Sequence, residues 1–426
     1  MEVIRINDKI FQMPTVRHLV TSVTDDLAQE RSVLLLTPDY IEPEFLWYEI
    51  HNQLISRDCQ VTIIDSPNSR SKYDSTSKIV SSHLGWDDDG CYTAGDLLDA
   101  TLSRVSDSIS PVDVIHVKNT GSNRMDSEWI SFMSEWAQIC QDSPHSITFC
   151  FIVPAKNIMS YPTKQEVKFV IHHWWQIPFP SEVRVICQKE LLAYERGPEA
   201  LWKGYLVPSL ASNDVRFAEF IWDDVCLYTK KIEQKIVDFA AHRSWSVDYI
   251  QKLNNEELSQ TDLNNSPETL TPNTALWDLW AAGVLVYSPE YGIERHISAL
   301  IAMGRKEELA HRLWRAQTPL LLPFIDRLRL QICQRLTEIH GPEWIKFKDW
   351  HSSYKGRYFK NPENPLACEL HDLKIVVEDC MPQQKHLLPC IRQMSKMRNH
   401  LAHYSPVEYD DFYTLWGDAK EMGFSL

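Results

Sequence analysis

The chain has 426 residues, enough for two or three domains, and its 44% hydrophobic and 11% aromatic content describes a globular protein with ample core. A net charge of −15 excludes a generic nucleic-acid binder, so any RNA contact needs a local basic surface. No apolar run approaches the roughly 20 residues of a membrane span, no signal-peptide pattern opens the chain, and the ten cysteines show neither CxxC nor zinc spacing. These readings predict a cytoplasmic protein with no membrane partner, no metal and no cofactor.

The first half alternates strands with helices. Five apolar runs rich in β-branched residues are the predicted strands: Val33–Thr37, Gln60–Asp65, Val112–Lys118, Ile147–Pro154 and Glu182–Cys187. Between them, residues 43–55, 95–105 and 127–140 carry helical periodicity. Alternation of this kind predicts an α/β N-terminal domain over residues 1–210, a mostly parallel sheet with flanking helices.

The spacing of these runs resembles a P-loop NTPase core of the AAA/STAND type. That resemblance implies a phosphate loop after the first strand, an acidic metal-binding end on the third and a polar sensor on the fourth. The residues depart from it. After Leu34-Leu35-Leu36 comes Thr37-Pro38-Asp39-Tyr40-Ile41-Glu42-Pro43, with no glycine and no Gly-Lys-Ser/Thr. A phosphate cradle needs glycine for close backbone approach and lysine for the β- and γ-phosphates, whereas Asp39 and Glu42 repel a triphosphate. The third strand ends in Lys118-Asn119 where Asp-Glu is expected. The domain therefore reads as a degenerate NTPase-like module, or as another doubly wound fold without that ancestry. ATP hydrolysis is not expected from either, and sensing or docking is. His172-His173-Trp174-Trp175 stands just before the predicted fifth strand. Adjacent histidines point to opposite sides of a strand or helix, so joint metal ligation needs further ligands. The aromatics are either core or a partner-binding patch.

Residues 211–295 read as a connector. Amphipathic helices are predicted over 215–253, a polar linker over 254–273, and a helix running into a hairpin over Leu276–Tyr287, as in a winged-helix module. Asp278 and its acidic neighbours do not supply a basic recognition helix. From His296 to residue 426 the pattern is an all-α bundle, with helices at Leu300–Trp314, Leu320–His340, Pro365–Cys380, His386–Tyr404 and Val407–Met422, punctuated by Pro319, Pro323, Pro362, Pro365 and Pro406. Arg and Lys outnumber acids between Arg305 and Arg357, which is either a solvated helix face or an RNA surface.

Within the bundle, Leu387, Leu388, Ile391, Met394, Met397 and Leu401 form one apolar stripe. Asn399 and His403, four residues apart, share another face, and Arg398 flanks them. The segment Arg398-Asn399-His400-Leu401-Ala402-His403 resembles the Arg-Asn-x-Leu-Ala-His signature of the HEPN superfamily, near the start of that family's last long helix. The resemblance implies a metal-independent endoribonuclease acting at a dimer interface. His403 is the implied general acid/base, Arg398 the holder of the scissile phosphate, and Asn399 the residue that orients one of them. An imidazole titrating near neutrality can take a ribose 2′-hydroxyl proton, and a guanidinium can pair two phosphate oxygens. Asp326, Glu369 and Asp372 are candidate polar supports among which the sequence does not choose. His400 reads as structural.

Two functions are therefore expected of the chain. In the first it is a HEPN-type endoribonuclease effector of a prokaryotic defence system, with RNA as substrate and a homodimer or hetero-oligomer with other defence proteins as the active form. In the second it is a non-catalytic scaffold or sensor subunit of a larger defence assembly that uses the bundle to oligomerise.

Overall fold

A computed structural model describes residues 7–65, 75–86, 92–104, 112–118, 121–141, 147–158, 160, 167–194, 197–222, 229–253, 271–272, 274–288, 290–350 and 364–426. These form two compact units. The sheet unit comprises Asn7–Glu182 and Trp245–His296, and the helical unit comprises Val183–Ser244 and Ile297–Leu426.

The sheet unit opens on α1 (Pro14–Ala28), started by Pro14 and buried along Val16, Leu19, Val20, Val23 and Leu27. Then follow β1 (Ser32–Thr37), α2 (Pro43–Ile55), β2 (Gln60–Ile64), α3 (Thr76–His83), α4 (Ala94–Arg104), β3 (Asp113–Val117), α5 (Asn123–Ile139), β4 (Ile147–Pro154) and β5 (Phe169–His173). All pairings are parallel, in the order β2-β3-β4-β1-β5. Every residue of β1 and β4 is buried, as strands covered on both faces require. The predicted α/β sheet is present.

Its fifth strand differs from the sequence expectation. Glu182–Cys187 lies within α6 (Pro180–Tyr194), where Val183 and Cys187 are buried one turn apart. Pro180 starts that helix, and the four-residue spacing of buried positions overrides the β-branched composition. The true fifth strand, Phe169–His173, pairs with β1 on one side only, and its alternating burial leaves His172 and His173 partly exposed. The His-His-Trp-Trp segment is thus the end of β5 rather than a prelude to it.

The helical unit continues with α7 (Pro198–Ala211), α8 (Val215–Trp222) and α9 (Thr229–His242). Asp214 accepts the Phe217 N–H at 2.9 Å and pairs with Arg243 at 2.8 Å, both side chains being buried. The chain then returns to the sheet unit through α10 (Val247–Leu253), α11 (Ala275–Ala281) and the antiparallel hairpin β6 (Leu285–Ser288) and β7 (Gly292–Arg295). The expected helix-to-hairpin step is there, while residues 254–270 and 273 of the polar linker lie outside the described residues. Trp280 Nε1 donates to the Trp174 carbonyl at 3.1 Å, and Trp245 Nε1 donates to the Ala282 carbonyl at 3.3 Å.

The remainder is helical: α12 (Ile297–Ala302), α13 (Lys306–His340), α14 (Leu370–Ile375), α15 (Leu388–Ala402) and α16 (Tyr409–Glu421). Pro319 and Pro323 do not end a helix, as the sequence suggests, but lie inside the 35-residue α13. A long buried stripe that includes Leu313, Leu320, Phe324, Leu328 and Ile332 holds the helix together across two missing N–H donors. Trp202 on α7 stacks 5.6 Å from Phe412 on α16 and is 1% exposed, which anchors those two helices to each other.

Candidate functional site

The first candidate lies at the carboxyl ends of the strands, where the order places β1 between β4 and β5. Open α/β sheets bind ligands at such a switch point. Here the position is filled from within. The turn from β1 to α2 directs the Asp39 N–H to the Ala281 carbonyl at 2.8 Å, and the Asp39 carboxylate pairs with Lys156, just beyond β4, at 2.7 Å. The helix that would receive a phosphate begins with Glu42 at its N-cap, Pro43 at its first position and Glu44 in its first turn. Proline removes one of the amides that would face an anion, and the carboxylates occupy the positive end of the helix dipole. At the next strand ends Lys118 pairs with Asp65, and this partner holds the Asp65 carboxyl below its usual range. Lys118 and Lys156 at this edge are thus both committed to carboxylates. Sequence reading found Asp39 and Glu42. It missed Lys156, whose role depends on a strand pairing more than a hundred residues away.

The paired histidines separate, as their adjacency in a strand requires. His172 Nε2 lies 2.7 Å from Asp26 on α1, and the His173 ring lies 5.9 Å from that of Trp280. Trp174 and Trp175 are buried core. No three His, Cys, Asp or Glu side chains converge on a metal-binding point among the described residues. No described helix is long and apolar enough to cross a membrane.

The second candidate is the end of α15. Leu388, Ile391, Met394, Met397 and Leu401 are its buried stripe, and Arg398, Asn399 and His403 are exposed, as the periodicity implies. The segment closes its helix rather than opening one. Ala402 is the last helical residue and His403 is the C-cap. Tyr404 follows at φ 57°, its N–H donating to the Leu401 carbonyl at 3.3 Å, and the Ser405 N–H donates to the His400 carbonyl at 3.0 Å. That pair of bonds is a Schellman cap with tyrosine at the left-handed position glycine usually takes. Trp314 Nε1 also donates to the Leu401 carbonyl, at 2.8 Å, and its ring meets Tyr404 edge-on at 4.9 Å. Gln317 clamps the next loop by exchanging two hydrogen bonds with the backbone of Val407, at 2.9 and 2.8 Å.

Arg398 and Asn399 line a cleft of about 630 Å³ whose other charged walls are Asp326, Arg329, Glu369 and Lys374. His403 is not in its lining. Within one chain, therefore, the guanidinium and the amide share a cavity and the imidazole lies outside it. Arg329 is structural, donating to the Leu366 and Cys368 carbonyls at 2.6 and 2.9 Å and pairing with Asp326. Of the three candidate supports, Asp326 and Glu369 reach the cleft and Asp372 does not. A helix C-terminus also presents carbonyl oxygens, which repel a phosphate.

No protein-family model matches the chain, and no curated protein matches it. Among solved structures, the chain is similar to the Thermotoga maritima RuvB Holliday junction branch migration motor, at TM-score 0.26 and 12% identity, over 68% of this chain and 94% of that one. It is similar also to Drosophila ORC bound to DNA, at TM-score 0.32 and 12% identity, over 98% of this chain and 73% of that one. A second Drosophila ORC structure, bound to GC-rich DNA and Cdc6, aligns at TM-score 0.30 and 11% identity over 97% and 71%.

Proposed function

We infer that the chain is a non-hydrolytic subunit of a larger assembly, with a P-loop-NTPase-like sheet unit whose phosphate site has become an internal contact. The strand order, with β4 inserted between β1 and β3, supports the NTPase-like reading. The observation that carries the loss of hydrolysis is Asp39, whose N–H and carboxylate are both engaged within the chain, at Ala281 and Lys156. A triphosphate placed there meets a carboxylate and a turn without glycine, and among the described residues Lys156 is already paired. Titration with a fluorescent ATP analogue and Mg²⁺ should show no saturable binding up to about 1 mM, an affinity of about −4 kcal/mol. Micromolar binding that ATP displaces would refute this reading.

A second reading keeps the endoribonuclease. In its favour, the side chains of Arg398, Asn399 and His403 are exposed and make no hydrogen bond or ion pair among the described residues. The cleft already carries the His371 imidazole, and a second copy could bring its own His403 to it, which makes cleavage a property of the dimer. Wild-type protein should cut RNA with chelator present, and His403→Ala and Arg398→Ala should each lose that activity by at least 100-fold while keeping their oligomeric state. Variants that retain cleavage would end the reading, and variants that dissociate would make the segment structural.

A further inference from the structure

The two prolines inside α13 have no role in either reading above. Each removes a backbone donor and crowds the carbonyl four residues back. They stand four residues apart and so share one helical face. Both line the same cleft, a cavity of about 890 Å³ contained within the helical unit. Its apolar walls include Leu201 and Tyr205 from α7, Phe324 from α13 and Trp416 from α16. Trp416 stacks on Phe324 at 5.6 Å with the rings 7° from parallel.

Two cations complete the lining. Arg327 lies one turn beyond Pro323, with its guanidinium held 5.5 Å over the Phe324 ring. Lys420 lies one turn beyond Trp416. Among the described residues neither pairs with a carboxylate side chain, and no Asp or Glu lines the cleft. In a chain with 58 acidic against 43 basic residues, two uncommitted cations beside an apolar wall are conspicuous.

We propose that this cleft binds a small amphipathic anion, an aliphatic or aromatic body ending in a carboxylate or comparable acidic group. The apolar wall takes the body, and Arg327 and Lys420 take the charge, where partial removal of water strengthens charge-assisted hydrogen bonds. The volume falls in the range of small-molecule sites. Pro319 and Pro323 add their apolar ring surface to the wall against which a hydrocarbon can lie.

The test uses the full chain and the fluorescent sulfonate ANS as probe. Saturable ANS binding is expected. Dodecanoate, kept below its micellar concentration, should displace it at least tenfold more effectively than dodecanol or dodecyltrimethylammonium. Arg327→Glu combined with Lys420→Glu should abolish that preference. Both side chains are exposed, so the double variant should keep its circular dichroism spectrum and unfolding midpoint. Ala200→Trp, which fills the cleft from α7, should lower ANS binding independently of charge. Dodecanol matching dodecanoate, a preference that survives the charge reversal, or the absence of saturable ANS binding would each overturn the proposal.

Discussion

His116 is the penultimate residue of β3 at 2% exposure, its ring stacked 3.8 Å from that of Trp47. Burial pushes its imidazole down to about 3, with the Lys118 charge adding to the effect. His173 is pushed down to about 4, by burial and then by the neighbouring His172. Unfolding returns both to about 6.5. Below that pH the unfolded chain binds protons that the folded chain refuses, so stability falls as pH drops from about 6.5 toward 4 and is unaffected above 7. Each histidine should cost about 2 kcal/mol at pH 5. Urea unfolding of His116→Leu at pH 7 and pH 5 should show a smaller pH difference than wild type. Equal differences would mean that His116 does not titrate on unfolding. The histidine in the strand is visible in the sequence, but its stacking partner is not, because Trp47 comes from a helix sixty-nine residues earlier in the chain.

At the scale of elements, legibility followed the strength of the local period. Residues 43–55 are α2 to the residue, and the predicted strands at Val33, Gln60, Val112 and Ile147 all appear. The errors have local causes. Val183-Arg184-Val185-Ile186 has strand composition, yet burial at Val183 and Cys187 is helical. Phe169–His173 hides its strand character behind two histidines that an edge strand can carry. The prolines of α13 mislead because single-residue preference is weak against a stripe buried along a 35-residue helix. The Arg398-Asn399-His403 spacing gives exposure correctly, but whether the three share a cavity depends on where α13 and α14 lie, and neighbouring spacing does not encode that. Pro323→Ala would restore a donor to the Pro319 carbonyl and should raise stability by about 1–3 kcal/mol in urea unfolding. An unchanged midpoint would show that packing, rather than the missing N–H, sets the shape of the helix.

At the scale of the whole molecule, the chain passes between its two units three times among the described residues, at Glu182, Ser244 and His296. Linear pattern reading shows a polar linker and a hairpin in the middle of the chain. It does not show that Trp245–His296 folds onto the sheet, because the Asp39–Ala281 and Trp280–Trp174 hydrogen bonds that hold it there join distant residues. A fragment ending at Ser244 lacks both partners. Its β1 and β5 ends should be open to hydrogen exchange, whereas a fragment ending at His296 should protect them. Equal protection in the two fragments would show that the hairpin is dispensable to the sheet.

That threading also orders events on the ribosome. The five strands emerge early, but the residues that close their carboxyl edge are made only after Val183–Ser244, which belongs to the other unit and must itself wait for Ile297–Leu426. Neither unit can finish as a contiguous nascent segment. During synthesis the chain holds an open sheet and an unpartnered set of helices at once, with Trp174 lacking Trp280 and Trp202 lacking Phe412. Translation speed through residues 183–296, and the chaperones present there, should therefore govern the yield of native protein more than its final stability does.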